Sequence, residues 1–226
     1  MSHTCRTGLA ALDRPPRPVV SLLAVRTRHD QILDATRDLL LEEGVQGVSM
    51  RKVAMRVGVS ATAIYRHYAD KNALLEAAVI EGRRCLLRYF QRALTARTAG
   101  ERLLLTGKQY LRFALRHPKE YQVLFLGQLP VDVPSPRDAA GHTPTFRFLL
   151  DRVEDCVRAR LMPADTNVFE VAMLSWSVCH GLASLYLNGR TKCCLTPTQF
   201  RRLADHVIER TTDGLLRPLR RQTSVR

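Results

Sequence analysis

The chain has 226 residues, 46% of them apolar, enough for one large domain or for a small domain fused to a larger one. Its formal charge of +14 points to a polyanionic partner, nucleic acid or an anionic membrane surface, without choosing between them. No run approaches the ~20 apolar residues needed to cross a bilayer, and the short apolar stretch at 19–25, preceded by Pro15, Pro16 and Pro18, does not fit an export signal; a cytoplasmic protein is expected.

Residues 1–25 carry proline and scattered arginine without periodicity and read as a disordered arm. From Thr27 onward every segment repeats at helical spacing, so the fold class is all-α. A first helix over 28–43 turns Ile32, Ala35, Leu39 and Leu40 inward and ends at Gly44. Ser49 caps a short second helix with apolar positions Val53, Ala54 and Val57, broken by Gly58. Ser60 caps a third over 61–67, and Asp70 caps a long fourth that passes Leu87. Helices follow over 100–116, ended by Pro118, and over 119–126, and a mobile loop is expected over 127–143, which holds Pro130, Pro134 and Pro136. Beyond it, 145–160 is amphipathic, 165–187 is apolar nearly all round and so implies burial on two sides, and 198–217 carries Phe200, Leu203, Ala204, Val207, Ile208 and Leu215 on one stripe.

The informative chemistry lies between residues 49 and 71. Two short helices separated by Gly58-Val59 satisfy the geometry of a helix-turn-helix. Ile64 and Tyr68, four apart, face inward against Val53, Val57 and Leu39. Ala61, Thr62, Ala63, Tyr65, Arg66 and His67 then point outward, and small residues at the start of that helix permit close approach to base edges. Arg51, Lys52, Arg56, Arg66 and Lys71 cluster against a single nearby acid, Asp70, whereas Arg83, Arg84, Arg88, Arg92, Arg97 and Arg102 read as solvated helix faces. The plainer account of Tyr65 and His67, a half-buried ring and a surface imidazole, leaves the register of the whole segment unexplained.

Residues 59–79, VSATAIYRHYADKNALLEAAV, resemble the recognition helix and fourth-helix start of the TetR family of regulators. The pattern is small residue, apolar residue, Tyr, any residue, His, aromatic, two spacers, Lys, two residues and paired leucines. Gly44, Gly47, Ser49, Val53, Ala54, Gly58 and Val59 also fall where that family places them. Downstream, Trp176, His180 and Gly181 followed by Leu182-Ala183-Ser184-Leu185, with His117-Pro118 and Tyr121, are similar to the Trp-His-Gly class of C-terminal regulatory domains in that family. The resemblance implies that Ser49, Arg51, Ser60, Ala61, Thr62, Tyr65, Arg66, His67 and Lys71 contact double-stranded DNA. Arg51 would meet a base or phosphate, Tyr65, His67 and Lys71 would grip phosphates, and Ala61 and Thr62 would face base edges. The sequence departs from the family at Ala61 and Ala63, where longer or hydroxylated residues are common, which shifts direct readout onto Arg51, Thr62 and Arg66.

Trp176 and His180 line an effector cavity or fill the core, and composition favours the core. Tyr110, Phe113 and Phe125 share that ambiguity. The six cysteines, Cys5, Cys85, Cys156, Cys179, Cys193 and Cys194, lack the spacing of a disulfide framework and read as reduced thiols; an adjacent pair chelates metal poorly, so a thiol- or metal-responsive regulator is the secondary reading. No phosphate loop, G-x-S-x-G or H-E-x-x-H is present, so no enzyme and no cofactor is expected. The expected organisation is an arm over 1–25, a DNA-binding head over 26–72, an effector-binding and dimerisation bundle over 73–218 and a basic tail over 219–226. Its partners would be DNA, a small-molecule effector and a second copy in a homodimer, with no membrane. The rivals are a basic enzyme or carrier with structural N-terminal helices and an architectural DNA binder without effector.

Overall fold

Helical periodicity becomes nine α-helices and one 3-10 turn among the described residues of the computed structural model, 27–125, 143–191 and 193–216. The helices are α1 (Arg28–Gly47), α2 (Met50–Val57), α3 (Ala61–Tyr65), α4 (Lys71–Gln91), α5 (Ala99–Arg116), α6 (Pro118–Phe125), α7 (Pro144–Arg158), α8 (Val168–Leu187) and α9 (Pro197–Leu216), with the 3-10 turn over Arg92–Thr95. The expected arm, most of the 127–143 loop, the basic tail and Cys5 lie outside the described residues.

Side-chain caps set the helix starts. Thr27 and Asp30 form a reciprocal capping box on α1, and Thr98 and Glu101 form another that starts α5 at Ala99, one residue earlier than its periodicity suggests. Asp70 Oδ1 accepts from the Ala73 amide at 2.8 Å. Asn167 caps α8, so that helix starts at Val168 and not at Asp165. α7 begins one residue before the predicted start, with Pro144 at its first position, and closes at Arg158. α3 ends at Tyr65, earlier than expected, because Arg66 and His67 turn the chain into the Asp70 cap.

Three cores result, the third joining α5 with α7 and α8. The first joins Ile32, Leu33, Leu39 and Leu40 of α1 with Val53, Ala54, Ile64 and Tyr68, and continues into Leu74, Leu75, Ala78 and Val79 of α4. The second joins Leu86 and Phe90 of α4 with α5, α6, α8 and α9, including Phe113, Tyr121, Ala183, Phe200 and Ile208. α4 therefore runs from the first core into the second. A second bridge was not visible in the sequence: α6 inserts Val123 into the first core, and its Lys119 Nζ lies 2.6 Å from Asp38 of α1.

α8 meets its expected two-sided burial only in part within one chain. Only Ala172, Cys179 and Ala183 are buried along it, so one of its two apolar sides is covered within the chain. The expectation that no run reaches bilayer length also needs correction, since α8 has 20 residues and a mean hydropathy of 1.4, long and apolar enough by that measure.

Candidate nucleic-acid interface and effector cavity

The α2–α3 turn is fixed by Gly58, whose φ of 73° lies in the left-handed region that a side chain disfavours. The Gly58 amide donates to the Met55 carbonyl at 3.2 Å and the Val59 amide to the Ala54 carbonyl at 3.0 Å, which together close α2 in a Schellman motif. Ser60 Oγ then accepts from the Ala63 amide at 3.2 Å and starts α3 at once. Ile64 is 0% exposed and Tyr68 is buried behind it, holding α3 against α2.

The opposite side of α3 faces solvent. Tyr65 is 55% exposed, and Thr62, Arg66 and His67 are exposed with it. Ala61 and Ala63 are only half-buried, and Ala61 packs partly on the first core, so it turns to the surface less fully than its place in the pattern implies. Arg51 is exposed on α2. Ser49 and Ser60 spend an oxygen lone pair on the Lys52 and Ala63 amides, and their hydroxyl protons remain available to an acceptor. Lys71 sits half-buried at the first position of α4, where its charge opposes the helix dipole.

The cation cluster is corrected in one respect. Lys52 pairs with Glu43, and Arg56 Nη2 lies 2.7 Å from Glu42, so two acids from the end of α1 face the cluster besides Asp70. Sequence distance hides them, because α1 reaches α2 only through the fold. Arg51, Arg66 and Lys71 form no ion pair among the described residues, which leaves the positive charge concentrated around α3. Met55, 77% exposed and four residues after Arg51, escaped the sequence reading because it lies off the apolar periodicity of α2.

A cavity of about 350 Å³ lies where the second core meets the third. α4 supplies Arg83, Leu86 and Phe90; α6 supplies Leu124 and Phe125; Tyr110, Phe146 and Trp176 complete much of the wall. Of the five residues singled out in the sequence, Tyr110, Phe125 and Trp176 line it. Phe113 does not: it is fully buried against the rings of Tyr89 and His117. His180 stands behind the wall. Arg83, expected on a solvated face, turns to the cavity, while Arg84 and Arg88 stay exposed beside Glu81.

A hydrogen-bond network fixes the polar side of that wall. The Trp176 Nε1–H donates to the Tyr110 oxygen at 3.2 Å, and the Tyr110 hydroxyl lies 3.0 Å from His180 Nδ1. The Tyr121 hydroxyl is 3.0 Å from the same nitrogen and 3.2 Å from the His180 carbonyl. A neutral imidazole nitrogen has one lone pair, so Tyr110 donates to Nδ1 and Tyr121 to the carbonyl. Burial holds His180 below its ordinary value, which keeps the acceptor form, and pushes Tyr121 up to about 12 and Tyr110 higher still. Tyr121, fully buried, is the member of this network that the sequence did not mark as a site residue.

The thiols divide by depth. Cys85, Cys156 and Cys179 are buried, with burial pushing Cys156 up to about 11 and Cys179 to about 12, which makes them poor nucleophiles. Cys193 and Cys194 are exposed, their sulfurs 3.1 Å apart. Among the described residues no group of three or more His, Cys, Asp or Glu side chains is placed to hold a metal ion.

The uncovered side of α8 shows Leu174 and Leu185, each 50% exposed, with Val178 and Gly181 between them. A Cβ added at Gly181 would meet nothing within 4 Å. On α9, Leu203 is exposed, and Val207 is half-buried four residues on.

Residues 32–78 match the family described as bacterial regulatory proteins, tetR family, and residues 103–211 match the one described as Tetracyclin repressor-like, C-terminal domain. The tetracycline repressor protein class A from transposon 1721 of Escherichia coli is 48% identical over 52 residues, 23% of this chain and 24% of that protein, so the match spans about a quarter of the relative's length. A solved structure of a protein with unknown function from Rhodococcus sp. RHA1 superposes with a TM-score of 0.67 at 22% identity, covering 84% of this chain and 96% of that one. The transcriptional regulator FadR from Bacillus subtilis, solved in complex with stearoyl-CoA, gives 0.64 at 16% identity, covering 81% and 97%. Matched by that family's N-terminal and C-terminal signatures on the two halves of its fold, this chain belongs to the TetR family of bacterial regulatory proteins.

Proposed function

We propose that the chain is a homodimeric DNA-binding transcriptional regulator, a repressor released from a near-palindromic operator by a small-molecule effector. The observation that carries this reading is the face of α3: a helix braced by a fully buried Ile64 that presents Tyr65, Arg66 and His67 to solvent beside Arg51. Polar-tipped rings flanked by uncompensated arginines fit phosphates and base edges, and the short helix and small residues at its start fit a major groove.

The outward sides of α8 and α9 support the dimer. Leu174, Val178, Gly181 and Leu185 make one continuous stripe, small in the middle, that suits a four-helix contact with the same surface of a second copy. A two-fold dimer sets two α3 helices into successive major grooves, about 34–36 Å apart or slightly more. In this reading residues 26–72 contact DNA, 73–218 sense and dimerise, and the protein works in the cytoplasm.

The cavity supports effector control over an architectural role. Its volume of about 350 Å³ falls at the lower end of the ~300–1,000 Å³ common for small-molecule sites. Leu124 lines it while the adjacent Val123 sits in the first core, and Lys119 and Glu120 reach Asp38 and Arg37 of α1. A ligand that displaces α6 or α4 therefore moves the head as well as the wall. A coupling of ~1–3 kcal/mol lowers DNA affinity several-fold to about a hundredfold.

Selection of bound duplexes from a random pool tests the reading. Enrichment of an inverted repeat supports it, and recovery of unrelated sequences with equal affinity contradicts specific regulation.

A further inference from the structure

The cavity's wall limits the chemistry of what fills it. Two of its inner hydroxyls are already engaged: Tyr110 bonds His180 and Trp176, and Thr106 Oγ1 donates to the Arg102 carbonyl at 2.8 Å, while Ser175 adds a small hydroxyl. Cys179 stays a neutral thiol at that depth. The rings of Phe90, Tyr110, Phe125, Phe146 and Trp176 offer an apolar body-binding surface without open hydrogen-bonding groups. Against this surface Arg83 is the one formal charge among the described lining residues. Its five N–H donors can serve contacts of its own and still offer a fork to an oxyanion. The hydroxyls of Thr143 and Thr145, 3.1 Å apart, add polar groups to the wall.

We propose that the effector is an anionic amphiphile, an apolar body with one anionic head, its body lying among the rings and its head at Arg83. The assignment rests on the effector reading above and narrows it to a ligand class. It disfavours polycations, because the described lining residues offer a cation no acid to replace its hydration.

The chain provides its own reporter, for Trp176 is its one tryptophan and lines the cavity. Tryptophan emission of the full-length protein is titrated with decanoate, decyl phosphate, decanol and decylamine, which share a chain and differ in head. Both anions should bind about ten-fold or more tightly than decanol, with decylamine weakest, as a charge-assisted contact predicts. The ratio of decanoate to decyl phosphate identifies which oxyanion Arg83 prefers. Arg83→Gln should bring both anions down to the level of decanol and leave decanol binding unchanged, which also shows that the variant is folded. Arg83→Lys should keep part of the preference. Decanol binding as tightly as the anions, or an anion preference that survives Arg83→Gln, overturns the assignment while leaving an effector cavity in place. If none of the four binds but a compound library contains molecules that raise the melting temperature, the ligand class is wrong and the effector reading stands; if that library also fails, both are wrong.

Discussion

α3 and α8 each turn one side to solvent, and the two sides could hardly differ more. α3 shows Tyr65, Arg66 and His67, rings and cations whose polar atoms water already satisfies. α8 shows Leu174 and Leu185 around Val178 and Gly181, side chains that water does not satisfy at all. The first surface is stable alone and gains a partner through charge and hydrogen bonds; the second gains one mainly by leaving water. In the proposed reading each exposed helix therefore suits a different partner: a polyanion for α3, an equally apolar face for α8.

The sharpest way to break the contrast is to make α8 resemble α3. Replacing Leu174→Glu and Leu185→Glu together should yield a folded monomer by sedimentation and lower operator affinity about a hundredfold or more, since each head then binds without the second. A dimer that persists would place the subunit contact elsewhere. Removing the brace behind α3 comes next: Ile64→Ala should cost ~2–5 kcal/mol in denaturant unfolding, the range for a large buried side chain. On the surface itself the effect is smaller. Arg51→Ala should lose ~1–3 kcal/mol of operator binding and relax selection at one position, while Lys71→Ala should weaken all duplexes alike and flatten the salt dependence by about one unit of slope.

The smallest effect separates the interiors. His180 and His117 are both held below the ordinary 6.5 by burial. As pH falls below 6.5 the unfolded chain takes up protons that the folded chain refuses, so stability drops until the lowered folded-state value is reached and then levels off. Melting temperature should therefore be lower at pH 5.5 than at pH 7.5, and His180→Asn should flatten part of that slope. An unchanged slope in the variant would show that other groups dominate.

Much of the head was legible because its signals are local. Caps at Ser49, Ser60 and Asp70, the Gly58 break and the four-residue spacing of Ile64 and Tyr68 all act within one or two turns, and each appears in the structure where the sequence puts it. The bundle was legible only in outline. Whether an aromatic residue lines a cavity or fills a core depends on helices far apart in sequence, so Trp176 and Phe113, alike in composition, part company in space. The same distance hid Glu42 and Glu43 opposite Arg56 and Lys52, Val123 in the first core, and Arg83 at the cavity. α8 was legible in the same limited way, because an all-round apolar helix reports that both sides need cover and not which chain supplies it.

The face of α3 is tested most directly by fluorescence anisotropy with a labelled duplex taken from beside the protein's own coding sequence, across a range of salt. Wild-type protein should bind with an affinity that falls linearly on a log–log plot, and Tyr65→Ala with His67→Ala should lose both affinity and part of that slope. Binding that ignores salt, or that survives both substitutions unchanged, would contradict a groove-reading role for this helix.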